Sequence, residues 1–298
     1  MLHGFTMEGK MVDQAENLRK MMGSNKNDNK RKTRIITVSS GKGGVGKTNF
    51  AVNMGIAFSQ IGKKVIVMDA DLGLANVNVC LGIIPKFNLF QLIKKQKTMK
   101  EIILDTNYGI QIVAGASGFS KIANLTEDER SSFIKEIDVL SYADVLIIDT
   151  GAGVSQNVLS FIVAADEAII ITTPEPTAIT DAYGIIKIIA TEINNPALEL
   201  KLVVNRVSST LEGRKVAERV INIAGQFLNI KVDNLGMIFE DPIVPQGVIK
   251  QTPFIALDPT SKASLGVKHI VSRLEGIEFK EGGGIKNFIS KLLGTKNF

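Results

Sequence analysis

The strongest pattern along the chain is a series of short, β-branched hydrophobic runs that begins at Arg34. Seven such runs follow one another: RIITVSS, KVIVMDAD, IQIVAG, DVLIIDT, AIIITTPE, KLVVNR and LGMIFED. Stretches with helical character at residues 49–60, 127–140, 178–192 and 211–227 separate most of these runs. Continuous hydrophobicity is typical of strands buried on both faces, and alternation with helices is typical of parallel sheets. The pattern therefore predicts an α/β domain of three layers, a mostly parallel twisted sheet flanked by helices, at residues 34–276.

The segment before this domain divides into two parts. Residues 1–22 carry Met11, Ala15, Leu18 and Met22 at helical spacing, which predicts a short amphipathic helix. Residues 23–33 are polar and contain a glycine, a composition typical of a flexible linker.

The segment after the domain, residues 277–298, combines a hinge with a second amphipathic stretch. Three consecutive glycines from Gly282 predict the hinge. On a helical wheel, one face then carries the apolar residues Ile285, Phe288, Ile289, Leu292 and Leu293, with Lys286 and Lys291 on either side. Flanking lysines can reach lipid headgroups while the apolar face enters the bilayer boundary. We expect a weak membrane-targeting helix that two copies would strengthen; a helix packed onto its own domain is the alternative.

Composition narrows the class of protein. The chain has 298 residues, is 45% hydrophobic and 22% charged, and carries a formal net charge of +5, all ordinary for a globular protein. It has neither an 18-residue apolar run nor the apolar core of a secretory signal, so we expect a cytoplasmic protein. Cys80 is the single cysteine, which excludes a disulfide or a cysteine-ligated metal site within one chain.

The segment SSGKGGVGKTN between the first run and the first helix has the sequence and the context of a phosphate-binding P-loop. Its glycines allow a tight turn whose backbone amides converge on phosphates. Lys47 can neutralise the β- and γ-phosphates, and the Thr48 hydroxyl can ligate Mg²⁺. The predicted nucleotide-binding residues here are Gly41, Lys42, Gly43, Gly44, Val45, Gly46, Lys47, Thr48 and Asn49. The expected ligands are ATP and Mg²⁺.

A second lysine inside the glycine run is unusual, because Lys42 and Lys47 repel each other unless an anion lies nearby. The motif KGGVGKT resembles the deviant Walker A motif of the MinD/ParA family, within the SIMIBI class of P-loop NTPases. In that family the first lysine reaches across an ATP-bound homodimer to the partner's phosphates. The resemblance implies the same catalytic role for Lys42, beside Lys47.

Acidic residues end two of the predicted strands, at the edge where open α/β sheets bind ligands. VIVMDAD ends with Asp69 and Asp71, and VLIIDTG supplies Asp149 and Gly151. Carboxylates placed there can hold Mg²⁺ or orient water. By resemblance to MinD, Asp71 positions the hydrolytic water, Asp69 assists with Mg²⁺ and Asp149 is the Walker B acid, while the Gly151 amide senses the γ-phosphate. Capping of the following helices is the alternative role for the aspartates.

Two later segments are candidates for contacts with the base. VVNRV supplies Asn205, whose carboxamide can both donate to and accept from adenine, and Arg206, whose guanidinium can stack on a ring. In the family this asparagine reads adenine, which implies ATP rather than GTP. Asp241 and Pro242 in FEDPIVPQ occupy the place of the family's second base-contacting loop.

Essentially the whole chain resembles the FlhG (FleN, YlxH) family of flagellar-number ATPases. The resemblance rests on DADLGLANVNVCLG, DTGAGVS, TTPEPTAITDAYGIIK and DQAENLR. In DQAENLR, Asp13, Gln14 and Ala15 look like the motif by which FlhG activates the flagellar GTPase FlhF. Asn78 departs from the aspartate common in the family, which puts a partner contact rather than ATP chemistry in doubt.

The resemblance implies an ATPase that dimerises on ATP, binds the inner face of the cell membrane and regulates the number or placement of flagella. Its implied partners are FlhF, inner-membrane lipids, and flagellar switch or C-ring components or a flagellar transcription regulator. A MinD-type regulator of the division site is one alternative. A ParA-like protein that partitions DNA is another, and the lysine-flanked apolar tail argues against DNA as a ligand. An Fe–S relative would need paired cysteines, which this chain lacks.

Overall fold

A computed structural model describes residues 33–71, 76–115, 127–193 and 195–278. Its strands, in chain order, are β1 (Arg34–Ser40), β2 (Val65–Ala70), β3 (Ile103–Asp105), β4 (Gln111–Val113), β5 (Val145–Ala152), β6 (Glu167–Thr172), β7 (Glu199–Val207) and β8 (Val232–Phe239). The N-terminal segment with Asp13, Gln14 and Ala15, and the apolar stripe from Ile285 to Leu293, lie outside the described residues.

The helices that accompany the strands are mostly connections between consecutive strands. They are α1 (Lys47–Gln60), α2 (Val77–Cys80), α3 (Leu89–Ile93), α4 (Met99–Ile102), α5 (Glu127–Asp138), α6 (Gln156–Ala164), α7 (Pro176–Glu192), α8 (Thr210–Leu228), α9 (Ile243–Lys250), α10 (Phe254–Leu257) and α11 (Lys262–Glu275). A 3₁₀ turn, Val139–Tyr142, continues α5.

The eight strands form one sheet in the order β3–β4–β2–β5–β1–β6–β7–β8. All neighbouring pairs are parallel except β3 and β4, which are antiparallel. The seven hydrophobic runs correspond to the other strands, so the predicted mostly parallel sheet is confirmed. The pattern did not predict β3, because its three residues form a short edge strand that is only half-buried.

Alternate residues of each central strand point to opposite faces of the sheet and belong to different hydrophobic clusters. Ile169 and Ile171 of β6 pack with α1 and α11 on one face, whereas Ala168 and Ile170 pack with α7 and α8 on the other. A third cluster covers β2 and β5 with α3 and α4. The three layers therefore bury the middle of the sheet on both sides, as continuous hydrophobic runs require.

Candidate functional site

The P-loop connects the carboxyl end of β1 to the first residue of α1. Gly44 and Gly46 have backbone φ angles of +77° and +99°, in the left-handed region that favours glycine. Gly46 is also the residue before α1, so the loop feeds directly into a helix N-terminus. Free amides at a helix N-terminus and a glycine-rich turn together form an anion-binding site. The loop thus has the local geometry that phosphate binding requires.

Two of the loop glycines are also required by close packing. A Cβ atom on Gly41 would lie 2.0 Å from the carbonyl oxygen of Asp181 in α7. A Cβ atom on Gly46 would lie 2.5 Å from the amide nitrogen of Asn205 at the end of β7. Both distances are far below van der Waals contact. At Gly41 the clash is with backbone, so the loop or α7 would have to shift; at Gly46 the Asn205 side chain would have to move. The sequence identified both glycines as part of the P-loop, but it did not indicate that Asp181 packs against Gly41.

Lys47 is a buried cation at the start of α1, with 8% of its surface exposed. Burial lowers the pKa of its ammonium group, and the nearby carboxylates of Asp149 and Asp71 oppose that change. A buried ammonium group is stabilised by neighbouring negative charge. A bound phosphate group would therefore supply further negative charge next to the Lys47 ammonium group.

Asp149 is a fully buried carboxylate of the site, and its position fits a cation. Its exposed surface is 0%, and neither carboxylate oxygen has a hydrogen-bond partner within 3.5 Å among the described residues. Burial raises its pKa to about 7, while the hydroxyl of Thr48 is close enough to lower that pKa somewhat. An unpaired buried carboxylate is costly unless a charge or a donor compensates it. A divalent cation between Thr48 and Asp149 would do so.

Asp69 lies beside Asp149, because β2 and β5 pair in parallel with these two residues in register. Unlike Asp149, its carboxylate is engaged: one oxygen accepts from the amide of Asp71 (3.0 Å), and the other from the amides of Asn76 (2.7 Å) and Val77 (3.1 Å). Burial nevertheless raises its pKa. These amide contacts fix both ends of the segment between β2 and α2, and the assistance of Asp69 with Mg²⁺ stays a prediction.

Asp71 follows β2 and is close to Gly151 at the end of β5. A Cβ atom on Gly151 would lie 3.4 Å from a carboxylate oxygen of Asp71. Asp71 also acts electrostatically on Lys47 and Asp149. Asp71, Gly151, Lys47 and Asp149 therefore lie near one another at the carboxyl edge of the sheet, and their roles at the γ-phosphate stay predictions.

Lys42 forms an ion pair within its own chain. Its ammonium nitrogen lies 2.7 Å from a carboxylate oxygen of Glu175 and 2.8 Å from the hydroxyl of Thr177, both at the start of α7. The sequence singled out TPEPTAITDAY as distinctive without assigning a role to these two residues. No sequence signal indicates this pairing, because Glu175 lies 133 residues after Lys42.

Asn205 and Arg206 are both near the P-loop, and both bind its backbone. The Asn205 amide donates to the carbonyl oxygen of Val45 (2.7 Å), and the Arg206 guanidinium donates to that of Gly44 (2.8 Å). Arg206 has φ +57°, at an irregularity in the pairing of β7 with β8. These contacts support the loop, and the base-reading role of the two residues stays a prediction.

Asp241 and Pro242 join β8 to α9. One carboxylate oxygen of Asp241 accepts from the amide of Ile243 (3.0 Å), and the other accepts from the amide of Ala263 at the start of α11 (3.2 Å). The described geometry therefore gives Asp241 a structural role in joining α9 to α11. Contact of this loop with a base also stays a prediction.

No group of three or more His, Cys, Asp or Glu side chains in the described ranges could hold a metal ion by itself. A P-loop Mg²⁺ site does not require one, since nucleotide phosphates and water supply most ligands. Within those same ranges, no helix is both long and apolar enough to span a bilayer.

Comparisons with known proteins agree with this geometry. A family model described as an AAA domain matches residues 33–201. The antiactivator FleN of Pseudomonas aeruginosa PAO1 is 34% identical over 87% of this chain and 93% of its own length. The flagellum site-determining protein YlxH of Helicobacter pylori 26695 is 34% identical over 89% of this chain and 92% of its own length. The septum site-determining protein MinD of Pyrococcus horikoshii OT3, solved in complex with Mg-ADP, superposes with a TM-score of 0.65 at 25% identity, covering 82% of this chain and 96% of that one.

Proposed function

Because the chain belongs to the FleN/YlxH (FlhG) family of MinD-like P-loop ATPases, we propose that it hydrolyses ATP as a switch that regulates the number or placement of flagella. The observation that carries the ATPase part is the pair Thr48 and Asp149. A hydroxyl at a helix N-terminus adjoins a buried carboxylate whose two oxygens lack partners among the described residues. The flagellar part rests on the names of the two relatives.

In this proposal the residues of the P-loop and the strand ends divide the work of binding. Backbone amides of residues 43–48 surround the phosphates, and Lys47 neutralises them. Thr48 and Asp149 would hold Mg²⁺, which when bound supplies positive charge to the β- and γ-phosphates. Asp69 keeps the segment after β2 in place through its three amide contacts. Asn205 and Arg206 would contact adenine after breaking their hydrogen bonds to the carbonyl oxygens of Val45 and Gly44.

Hydrolysis would depend on Asp71, which adjoins Gly151 and Lys47. A carboxylate beside the γ-phosphate can orient water and accept its proton, while the Gly151 amide donates to the phosphate. Because Lys47 and the Gly151 amide would both contact the γ-phosphate, the contacts of these two residues would differ between the ATP-bound and the ADP-bound state. That difference is what a switch requires.

The ATP state would be a homodimer in which Lys42 contacts the partner's phosphates, and its two C-terminal segments would bind the inner face of the membrane. This dimer would then be bound by FlhF, by a flagellar switch or C-ring component, or by a flagellar transcription regulator. The similarity to MinD supports a second candidate, a regulator of the division site with the same ATP cycle.

The test is a Lys47→Ala chain in cells whose own copy has been deleted. Loss of ATP binding should reproduce the flagellation of the deletion strain, counted by electron microscopy, with normal division. Wild-type flagella in the Lys47→Ala strain would contradict the proposal. Misplaced septa with normal flagella would support the division-site candidate instead.

A further inference from the structure

Four apolar side chains at the carboxyl end of the sheet are exposed to solvent. Their exposed fractions are 46% for Val79, 93% for Ile84, 49% for Val248 and 83% for Ile249. Val79 belongs to α2, Ile84 to the loop after it, and the other two to α9. We call these residues the α2/α9 patch.

The two halves of the patch are neighbours in space. A Cβ atom on Gly82, between Val79 and Ile84, would lie 3.2 Å from the carbonyl oxygen of Gln251, which follows α9. Leu81 anchors the loop in the core, and Val244 anchors α9 in the same cluster. The exposed residues therefore belong to segments that Leu81 and Val244 fix to the hydrophobic core. Contiguous exposed apolar surface of this kind marks interaction sites, whereas isolated exposed residues do not.

The surroundings of the patch are basic. Residues 79–86 and 248–251, which carry the patch, contain two lysines and no carboxylate. Lys86 and Lys250 are exposed next to Ile84 and Ile249. The carboxylate of Asp241, which precedes α9, accepts hydrogen bonds from two backbone amides. An occupant with apolar and acidic side chains would complement this surface, and a basic one would not.

The patch is also coupled to the nucleotide site. The amide of Val77, at the start of α2, donates to Asp69, and Asp69 accepts from the amide of Asp71 as well. A partner segment that displaces α2 would therefore disturb the side chain of Asp69, and through it the hydrogen-bonded Asp71. A partner that reads or alters the nucleotide state needs such a connection, and a passive lipid contact does not.

We propose that the α2/α9 patch is the docking surface for an acidic amphipathic helix of a partner protein. The apolar face of that helix covers Ile84 and Ile249, and its glutamates or aspartates pair with Lys86 and Lys250. This is the helix-in-groove mode of recognition, with apolar anchors one helical turn apart. The surface goes beyond the proposed ATPase function, since its binding chemistry requires neither ATP hydrolysis nor flagella.

The test uses the full chain and a fluorescent 16-residue peptide with leucines at helical spacing and glutamates elsewhere. Anisotropy should show saturable binding by the wild type, weakened at least tenfold by Ile84→Glu/Ile249→Glu and by Lys86→Glu/Lys250→Glu. The matched control is Phe227→Glu, since Phe227 is 73% exposed on α8 and outside the patch; it should bind like the wild type. A scrambled peptide of the same composition should bind at least tenfold more weakly.

Three results would overturn the proposal. One is no peptide binding by the wild type, or equal binding by both patch variants. Another is binding of phosphatidylglycerol vesicles that Ile84→Glu/Ile249→Glu abolishes, which would make the patch a lipid contact. The third is self-association in sedimentation velocity that the same variant abolishes, which would make it a contact between copies. Basal ATP turnover of the patch variants should match the wild type, so loss of peptide binding with normal turnover separates this surface from the ATPase proposal.

Discussion

The ammonium nitrogen of Lys42 lies 2.7 Å from a carboxylate oxygen of Glu175 in the same chain. That hydrogen bond, followed by the charge of Lys42, lowers the pKa of Glu175. Ion pairs between exposed groups contribute little to stability and exchange readily. Lys42 can therefore leave Glu175 when a stronger anion becomes available, and a phosphate of a second copy is such an anion.

Replacing Lys42 by alanine should separate nucleotide binding from assembly. Lys42→Ala should bind ATP within about threefold of the wild type, because Lys47 remains, yet stay monomeric by size-exclusion chromatography with light scattering. The matched control is Lys97→Ala, since Lys97 forms a similar exposed pair with Glu101 at 2.8 Å. An ATP-dependent dimer of Lys42→Ala would remove the contact across the dimer.

Asp71→Ala should bind ATP normally and hydrolyse it slowly, because only the orientation of water is lost. The expected loss in turnover is roughly 10²-fold or more, measured as phosphate release under saturating ATP. The ATP-bound dimer should accumulate as a result. Asp233→Ala, at the amino end of β8, is the control and should turn over like the wild type. Wild-type turnover by Asp71→Ala would end the catalytic assignment.

The sequence predicted the parts of this molecule that depend on local pattern. Continuous β-branched runs identified the strands, and glycines between a strand and a helix identified the P-loop, because each feature occupies consecutive residues. The meeting of Asp69, Asp71 and Asp149 also followed, since carboxyl ends of parallel strands share one edge. The edge strand β3 was missed because three half-buried residues leave no clear pattern.

What the sequence could not predict are contacts between residues far apart in the chain. The pairing of Lys42 with Glu175 and the packing of Gly41 on Asp181 both depend on where α7 lies over the loop. The sequence also did not indicate that Asp69 and Asp149, which are neighbours in the sheet, have different hydrogen-bonding environments. Asp69 is satisfied by backbone amides while Asp149 is not, and this follows from the path of the loop after β2.

The raised pKa of Asp149 predicts how the stability of the nucleotide-free protein depends on pH. Its pKa is about 7 in the folded chain, against 3.8 ordinarily. The folded state therefore holds the proton more tightly than the unfolded state, and the free energy of unfolding falls as the pH rises from about 4 to about 7. At most, this amounts to about 4 kcal/mol.

Thermal unfolding without nucleotide at pH 5.5 and pH 8 measures this effect. The wild type should melt several degrees higher at pH 5.5, and Asp149→Asn, which has no charge to bury, should show a smaller difference. Asp233→Asn should retain the wild-type difference, since the Asp233 side chain is 47% exposed. Equal differences in the wild type and Asp149→Asn would mean that other groups set the pH dependence.

Deleting residues 1–22 should leave basal ATP turnover unchanged, because the predicted linker separates them from the P-loop. The same deletion should abolish stimulation of GTP hydrolysis by FlhF, as the resemblance of Asp13, Gln14 and Ala15 implies. Replacing only Asp13 and Gln14, as Asp13→Ala/Gln14→Ala, tests the motif without shortening the chain. Full stimulation of FlhF by the truncated protein would refute this role.

The apolar stripe near the C-terminus predicts membrane binding that depends on ATP. Phe288 and Ile289 lie at its middle, and burying each is worth roughly 1.5–3 kcal/mol. Phe288→Glu/Ile289→Glu replaces that gain with repulsion from anionic lipid, so the variant should bind ATP and dimerise but no longer sediment with liposomes. Salt should weaken wild-type binding only in part, because it screens Lys286 and Lys291 and not the apolar contribution.

A helix packed onto its own domain makes a different prediction, which the same variant tests. Two buried glutamates would destabilise the domain, and Phe288→Glu/Ile289→Glu would melt several degrees below the wild type. Phe227→Glu, which changes an exposed aromatic side chain on α8, is the control for added negative charge and should keep wild-type stability and liposome binding. An early-melting variant, together with wild-type liposome binding that never depended on ATP, would establish the packed helix and exclude the anchor.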